Sequence, residues 1–100
     1  VKVVSRGERI SFSRSIVMNS SAYSHTGHRT ASGVYPYRGA VAVDPRVIPL
    51  GTRLYIEGYG YAKALDVGSS IKGNRIDLFF DTTQQANRWG RRSVKVYIIN

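Results

Sequence analysis

Short apolar segments divided from one another by glycine and proline leave this chain little choice but a small β-barrel. Thr52–Glu57 alternates with Leu54 and Ile56 on one face, and Gly58-Tyr59-Gly60 stops it. Ser93–Ile99 alternates again through Val94, Val96 and Ile98. Ser15–Tyr23, Ala40–Val43, Tyr61–Val67 and Arg75–Phe80 complete a predicted set of six strands. One helix is predicted among them. Asp81 is its expected N-cap with Gln84 closing a capping box, Thr82–Trp89 its body, and Gly90 its left-handed C-terminal cap. Ala86 and Trp89 fall three apart on one helical face and are expected to plug the side of the barrel.

At 100 residues the chain has room for one core. Residues 1–14 are basic and weakly patterned; they read as a linker or edge segment from a preceding domain, and residues 15–100 as the barrel. The chain opens at Val1 without an apolar leader, so a mature piece or excised domain is expected, with its export signal upstream. No apolar run approaches the roughly 18 residues that a membrane span requires. The stretch His25–Gly39 (HTGHRTASGVYPYRG) is a predicted loop, longer than most connections, and loops of that length in compact domains are often functional.

Charge narrows the partners. Fifteen Lys and Arg face six acids, for a net charge of +9. Such a surface favours a polyanion, whether nucleic acid, anionic membrane or anionic cell wall. The basic residues are spread over many segments with no recognition motif, which counts against nucleic acid. The absence of cysteine excludes disulfides, thiol catalysis and thiolate metal sites.

The acids carry the chemistry. Asp77 sits inside the otherwise apolar Arg75-Ile76-Asp77-Leu78-Phe79-Phe80, and strand interiors disfavour Asp. Burying a carboxylate is costly unless it is paired or protonated, so a raised pKa is expected there. Asp44 ends the run Ala40–Val43 before Pro45, and Asp66 follows Ala62-Lys63-Ala64-Leu65; either could be a turn residue. Glu8 and Glu57 need only solvated positions. His25 and His28 form a weak zinc signal, no calcium-loop pattern is present, and Gly68–Gly73 lacks the order of a phosphate-binding loop. No metal and no cofactor are expected.

Taken together, Ala42-Val43-Asp44-Pro45, Ile48-Pro49-Leu50-Gly51-Thr52, Ala64-Leu65-Asp66-Val67-Gly68 and Ile71–Phe79 resemble the three-aspartate (3D) domain. That family is similar to the catalytic barrel of membrane-bound lytic transglycosylase A. Coverage runs from about Met18 to Ile99, and Gly90–Tyr97 resembles the family's last strand. The intervals of 22 and 11 residues between Asp44, Asp66 and Asp77 fit the family. Val67 and Ser69 depart from its usual Thr and second Gly, and Val67 removes a hydroxyl that could support Asp66. The basic stretch before Ser15 resembles the exit from a G5-type wall-binding domain.

The resemblance implies a six-stranded double-psi β-barrel, mostly β with one short helix, carrying Asp44, Asp66 and Asp77 in one groove. It implies Asp77 as the acid–base catalyst, Asp66 as its coupled partner and Asp44 in a supporting role. Thr30, Ser32, Gly68 and Lys72 are the expected substrate-binding residues, with the His25–Gly39 loop as a wall of the groove. The implied activity is lytic cleavage of the MurNAc-β-1,4-GlcNAc bond of peptidoglycan with 1,6-anhydro ends. The alternative is a wall-binding barrel without chemistry. Expected partners are glycan strands and anionic wall polymers, at the bacterial cell wall.

Overall fold

The computed structural model describes residues 2–5 and 8–99. In chain order the elements are β1 (Lys2–Ser5), β2 (Glu8–Ser11), β3 (Arg14–Tyr23), β4 (Ala40–Val43), β5 (Arg53–Ile56), β6 (Gly60–Asp66), β7 (Arg75–Phe79), α1 (Thr83–Trp89) and β8 (Arg92–Ile99). β1 and β2 form a two-stranded antiparallel sheet of their own. The other six strands close a barrel in the order β3-β7-β4-β6-β5-β8. This is the mostly-β, six-stranded barrel with one short helix that the sequence predicts.

Two strand pairs, β3–β7 and β4–β6, are parallel; the other four are antiparallel. Parallel neighbours cannot be joined by a tight hairpin, so the chain crosses over between them; the long 24–39 segment instead joins β3 to β4, which lie on either side of β7 in the barrel. The interior is filled by alternate residues. Met18, Val41, Val43, Leu54, Ile56, Ile76, Leu78, Val94, Val96 and Ile98 all belong to the core cluster. Because the period is two, their strand neighbours face outward, and Asp77 between Ile76 and Leu78 is one of these.

Ala86 and Trp89 are the buried residues of α1, as the helical spacing predicts. Trp89 packs against Tyr59 and Phe80, and its indole N–H donates to Ser20 Oγ at 2.9 Å. The cap differs from expectation. Thr82, not Asp81, is the N-cap: its backbone is extended and its Oγ1 accepts from the Gln85 amide at 3.1 Å. Asp81 and Gln84 are one residue too early to close the box. Gly90 does take a positive φ of 66°, but its ψ of −135° lies outside the left-handed helical region. Its N–H still reaches the Ala86 carbonyl at 3.0 Å.

Candidate active site

Register brings the two central acids together. Ser21 of β3 stands opposite Asp77 of β7, Asp77 opposite Ala42 of β4, and Ala42 opposite Asp66 of β6. The four residues form one transverse row across four neighbouring strands. Asp66 and Asp77 therefore sit two strand spacings apart, about 9–10 Å between backbones. Ala42 stands between them in the row. The row forms part of a groove of about 320 Å³ that Tyr23, Ala42, Asp66 and Asp77 line together.

A bulge sets the row. Val41 pairs with Ala64, but Ala42 pairs with Asp66, so Leu65 is an extra residue in β6. Ala62 and Ala64 face the core, and strict alternation would send residue 66 into it as well. The inserted Leu65 turns Asp66 onto the outer face beside Ala42, as bulges near functional sites do. The carbonyl of Leu65 accepts from the Ser32 amide at 3.0 Å. Asp66 Oδ1 accepts from the amides of Ala31 and Val67, both at 2.9 Å. The substitution at Val67 thus leaves Asp66 with two backbone donors.

Asp77 is half-buried, and burial pushes its carboxyl above the ordinary carboxylate value. The negative charge of Asp66 pushes in the same direction. Opposing them, Ser21 Oγ donates to Asp77 Oδ1 at 2.9 Å, and the charges of Arg75 and Arg91 favour the ionised form. Tyr23 is a residue that sequence reasoning missed. Its hydroxyl is buried with no hydrogen-bond partner in the groove, and its ring packs edge-on against Phe79. Burial raises its pKa strongly, and the charges of Asp66 and Asp77 add to the rise. Its β3 position opposite Phe79, two residues beyond Ser21, would have pointed to it had the register been known.

Asp44 is placed differently. Its side chain is only 3 % exposed and is fully occupied. It accepts from the Arg46 amide at 3.0 Å, from Arg46 Nε at 3.2 Å and Nη2 at 3.1 Å, and from the Gly73 amide at 2.9 Å. The guanidinium of Arg46 and these amides hold its carboxyl well below the usual carboxylate range. Asp44 thereby fastens the 68–74 loop, whose other end forms a groove wall, to the turn after β4. A group with a depressed folded pKa contributes stability that is complete above its ordinary value and is lost as pH falls below it. The excess in Tm of the wild type over Asp44→Asn should therefore be full at pH 6 and shrink steadily from pH 4 towards pH 2 in thermal melts. A gap that is constant across that range would mean the carboxylate charge does not hold the loop.

The expected substrate contacts divide. Gly68 lines the groove, and a Cβ there would stand 2.9 Å from Ile71 Cγ1, so only glycine lets the loop fold back over Ile71. Thr30 is buried at 5 % exposure, and Ser32 is tied to β6 by its backbone. The 24–39 loop does wall the groove, but through Thr26, His28, Arg29 and Pro36. Lys72 is exposed and lies outside the groove lining. His25 packs its ring edge against Phe79 at 4.9 Å. Arg92 donates twice to the Trp89 carbonyl and covers the indole. Among the described residues no three His, Asp or Glu side chains converge as metal ligands would.

With this geometry in hand, residues 39–100 match the 3D domain. The chain belongs to the 3D domain family. It is also 47% identical to YabE of Bacillus subtilis, a protein named for cell wall shaping, over 98% of this chain and 26% of that protein. The cell wall-binding protein YocH of the same organism is 47% identical over 71% of this chain and 26% of its own length. Among solved structures, MltA from Escherichia coli, described as having a unique lytic transglycosylase fold, superposes with a TM-score of 0.61 at 28% identity. The match covers 73% of this chain and 27% of MltA. MltA has also been solved with bound chitohexaose. This 3D domain spans about a quarter of the length of each of these proteins.

Proposed function

We propose that this 3D domain is a peptidoglycan lytic transglycosylase that cleaves the MurNAc-β-1,4-GlcNAc bond and leaves 1,6-anhydro ends. The observation that carries the reading is the row Ser21–Asp77–Ala42–Asp66, in which burial favours the protonated form of Asp77 beside a second acid. A protonated Asp77 donates to the leaving glycosidic oxygen. The resulting carboxylate then accepts the proton of the muramic 6-hydroxyl as that oxygen closes on C1. One carboxyl serves both steps because the nucleophile is already part of the sugar, and no water has to be positioned. Asp66, fixed by two amides, faces the positive charge that develops on the sugar ring. Asp44 acts at a distance, through the loop it holds. The similarity to MltA, and the chitohexaose bound to that protein, support a glycan in the groove.

Mass spectrometry of purified peptidoglycan after incubation with the domain is the direct test. Anhydro ends support the proposal, and new reducing ends would reassign the groove to hydrolysis. Binding without any product would favour the second reading, a wall-binding barrel without chemistry, which the name of YocH supports.

Tyr23 supplies a further check on the groove. Its unpartnered hydroxyl can donate to a sugar oxygen or to either carboxylate once a glycan is bound. Tyr23→Phe should weaken turnover about tenfold, the worth of one buried hydrogen bond. Its Tm should hold or rise, because an unsatisfied hydroxyl is removed from a buried site. Unchanged turnover would leave Tyr23 a packing residue.

A further inference from the structure

The loop that walls the aspartate groove carries a cation into it. Among the described residues that line the groove, Arg29 is the one Lys or Arg. Its place is fixed although it is exposed. The guanidinium lies over the Tyr35 ring at 4.5 Å, and Nη1 donates to the Gly33 carbonyl at 3.0 Å. The turn that supplies this carbonyl is itself closed. The Gly33 amide donates to the Thr30 carbonyl at 2.9 Å, and the Thr30 amide to the Val34 carbonyl at 2.7 Å. Asp66 grips the same turn through the Ala31 amide, two residues from Arg29. An exposed arginine ordinarily keeps its rotamer freedom, and restricting it before a ligand arrives lowers the entropic cost of binding.

The charge of Arg29 is not consumed inside the protein. Among the described residues no acid forms an ion pair with it. The charges that act most on Asp77 are those of Arg75, Asp66 and Arg91. The bond to Gly33 occupies one N–H of the guanidinium, and most of the fork stays open. A chitin-type strand offers such a fork only hydroxyls and amides. MurNAc differs from GlcNAc by a lactyl ether on O3 that ends in a carboxyl. That carboxyl is either free or amide-linked to a stem peptide with carboxylates of its own. Either way the strand brings a carboxylate on the O3 side, which a planar guanidinium engages through two parallel N–H···O bonds. We infer that Arg29 is a specificity-determining residue of the groove, binding a carboxylate borne on the O3 substituent of MurNAc and selecting muramoyl strands over chitin-type strands. The inference rests on the reading that the groove holds a peptidoglycan glycan, and it is independent of whether that glycan is cleaved.

The test is an NMR titration of the domain with three disaccharides. They are chitobiose, GlcNAc-MurNAc with its lactyl carboxylate free, and GlcNAc-MurNAc carrying a stem peptide. None contains a MurNAc-β-1,4-GlcNAc bond, so affinity is read without cleavage. Wild type should bind the muramoyl disaccharides more tightly than chitobiose. Arg29→Gln should weaken muramoyl binding about tenfold, the worth of one charge-assisted pair. It should change chitobiose binding by less than twofold, which also shows that the variant is folded. A loss confined to the free-lactyl form assigns the lactyl carboxylate, and one confined to the peptide form assigns the peptide's. A loss on both would mean that the fork reaches either. Arg88→Gln removes the same charge from α1 and should leave all three affinities within about twofold. An equal loss in that control would reduce the effect to net charge and overturn the assignment. No loss on either muramoyl form, or an equal loss on chitobiose, would overturn it while leaving the groove a glycan site. If none of the three disaccharides moved the resonances of Tyr23, Asp66 and Asp77, the groove would hold no glycan, and the reading beneath the inference would fall with it.

Discussion

Asp77→Asn should reduce peptidoglycan cleavage by about 10²–10⁴-fold, the usual contribution of a positioned acid–base group, while the variant melts above the wild type at neutral pH. Asn keeps the shape of the side chain and an oxygen for the Ser21 hydroxyl, but it can neither give nor take a proton. The stability effect follows from linkage. Burial raises the folded pKa of Asp77, and Asp66 raises it further. A carboxyl raised in the folded state favours folding only while it holds its proton, and that contribution is lost as pH rises through the folded value. At pH 7 the wild type therefore carries an ionised group in a half-buried site, which the Asn variant does not. The Tm gain should be a few degrees at pH 7 and vanish near pH 3, where both side chains are neutral. The combination separates chemistry from structure. Activity within tenfold of wild type would remove Asp77 from the mechanism, and lost activity with a lower Tm would mean that the substitution damaged the fold.

Why Asp77 was legible and its surroundings were not comes down to which facts are local. An acid between Ile76 and Leu78 is conspicuous in a strand, and alternation alone puts it on the outer face. The six strands were legible for the same reason, since glycine and proline mark their ends. The helix cap failed by a single residue because Asp81, Thr82 and Gln84, Gln85 offer two overlapping boxes, and only backbone geometry selects the second. The fate of Asp44 was half visible. Arg46 is two residues away, close enough to claim the carboxylate, but Gly73 comes from 29 positions later and arrives only through the fold. Thr30 and Ser32 are small and polar, which in sequence suggests contact with sugar. In the structure one is buried and the other lends its amide to Leu65. Tyr23 was invisible, because the surroundings that leave its hydroxyl without a hydrogen-bond partner are a property of register.

The bulge at Leu65 is the clearest case of register creating function, and deleting that residue should cost stability without turning Asp66 inward. With Leu65 gone, Asp66 would follow Ala64 directly. The residue after a core-facing Ala64 falls on the outer face, so Asp66 would still stand opposite Ala42, now in an unbroken ladder. The bulge thus lets the chain carry one more residue, Leu65, while keeping the acid in its row. What the deletion removes is a leucine only 8 % exposed and the carbonyl that accepts from the Ser32 amide. Losing a buried leucine side chain costs about 2–5 kcal/mol, so Tm should fall by roughly 10–30 °C in a domain of this size. The fall should be nearly the same at pH 4 and pH 7, because no carboxylate enters the core. Leu65→Ala, which keeps the bulge and the carbonyl, should lose most of the same Tm. A deletion variant that gains stability relative to wild type as pH falls from 7 to 4 would show that the Asp66 carboxylate had turned into the core and overturn the register argument. A deletion variant that melts far below Leu65→Ala would place the larger cost in the loop that the Leu65 carbonyl holds through Ser32.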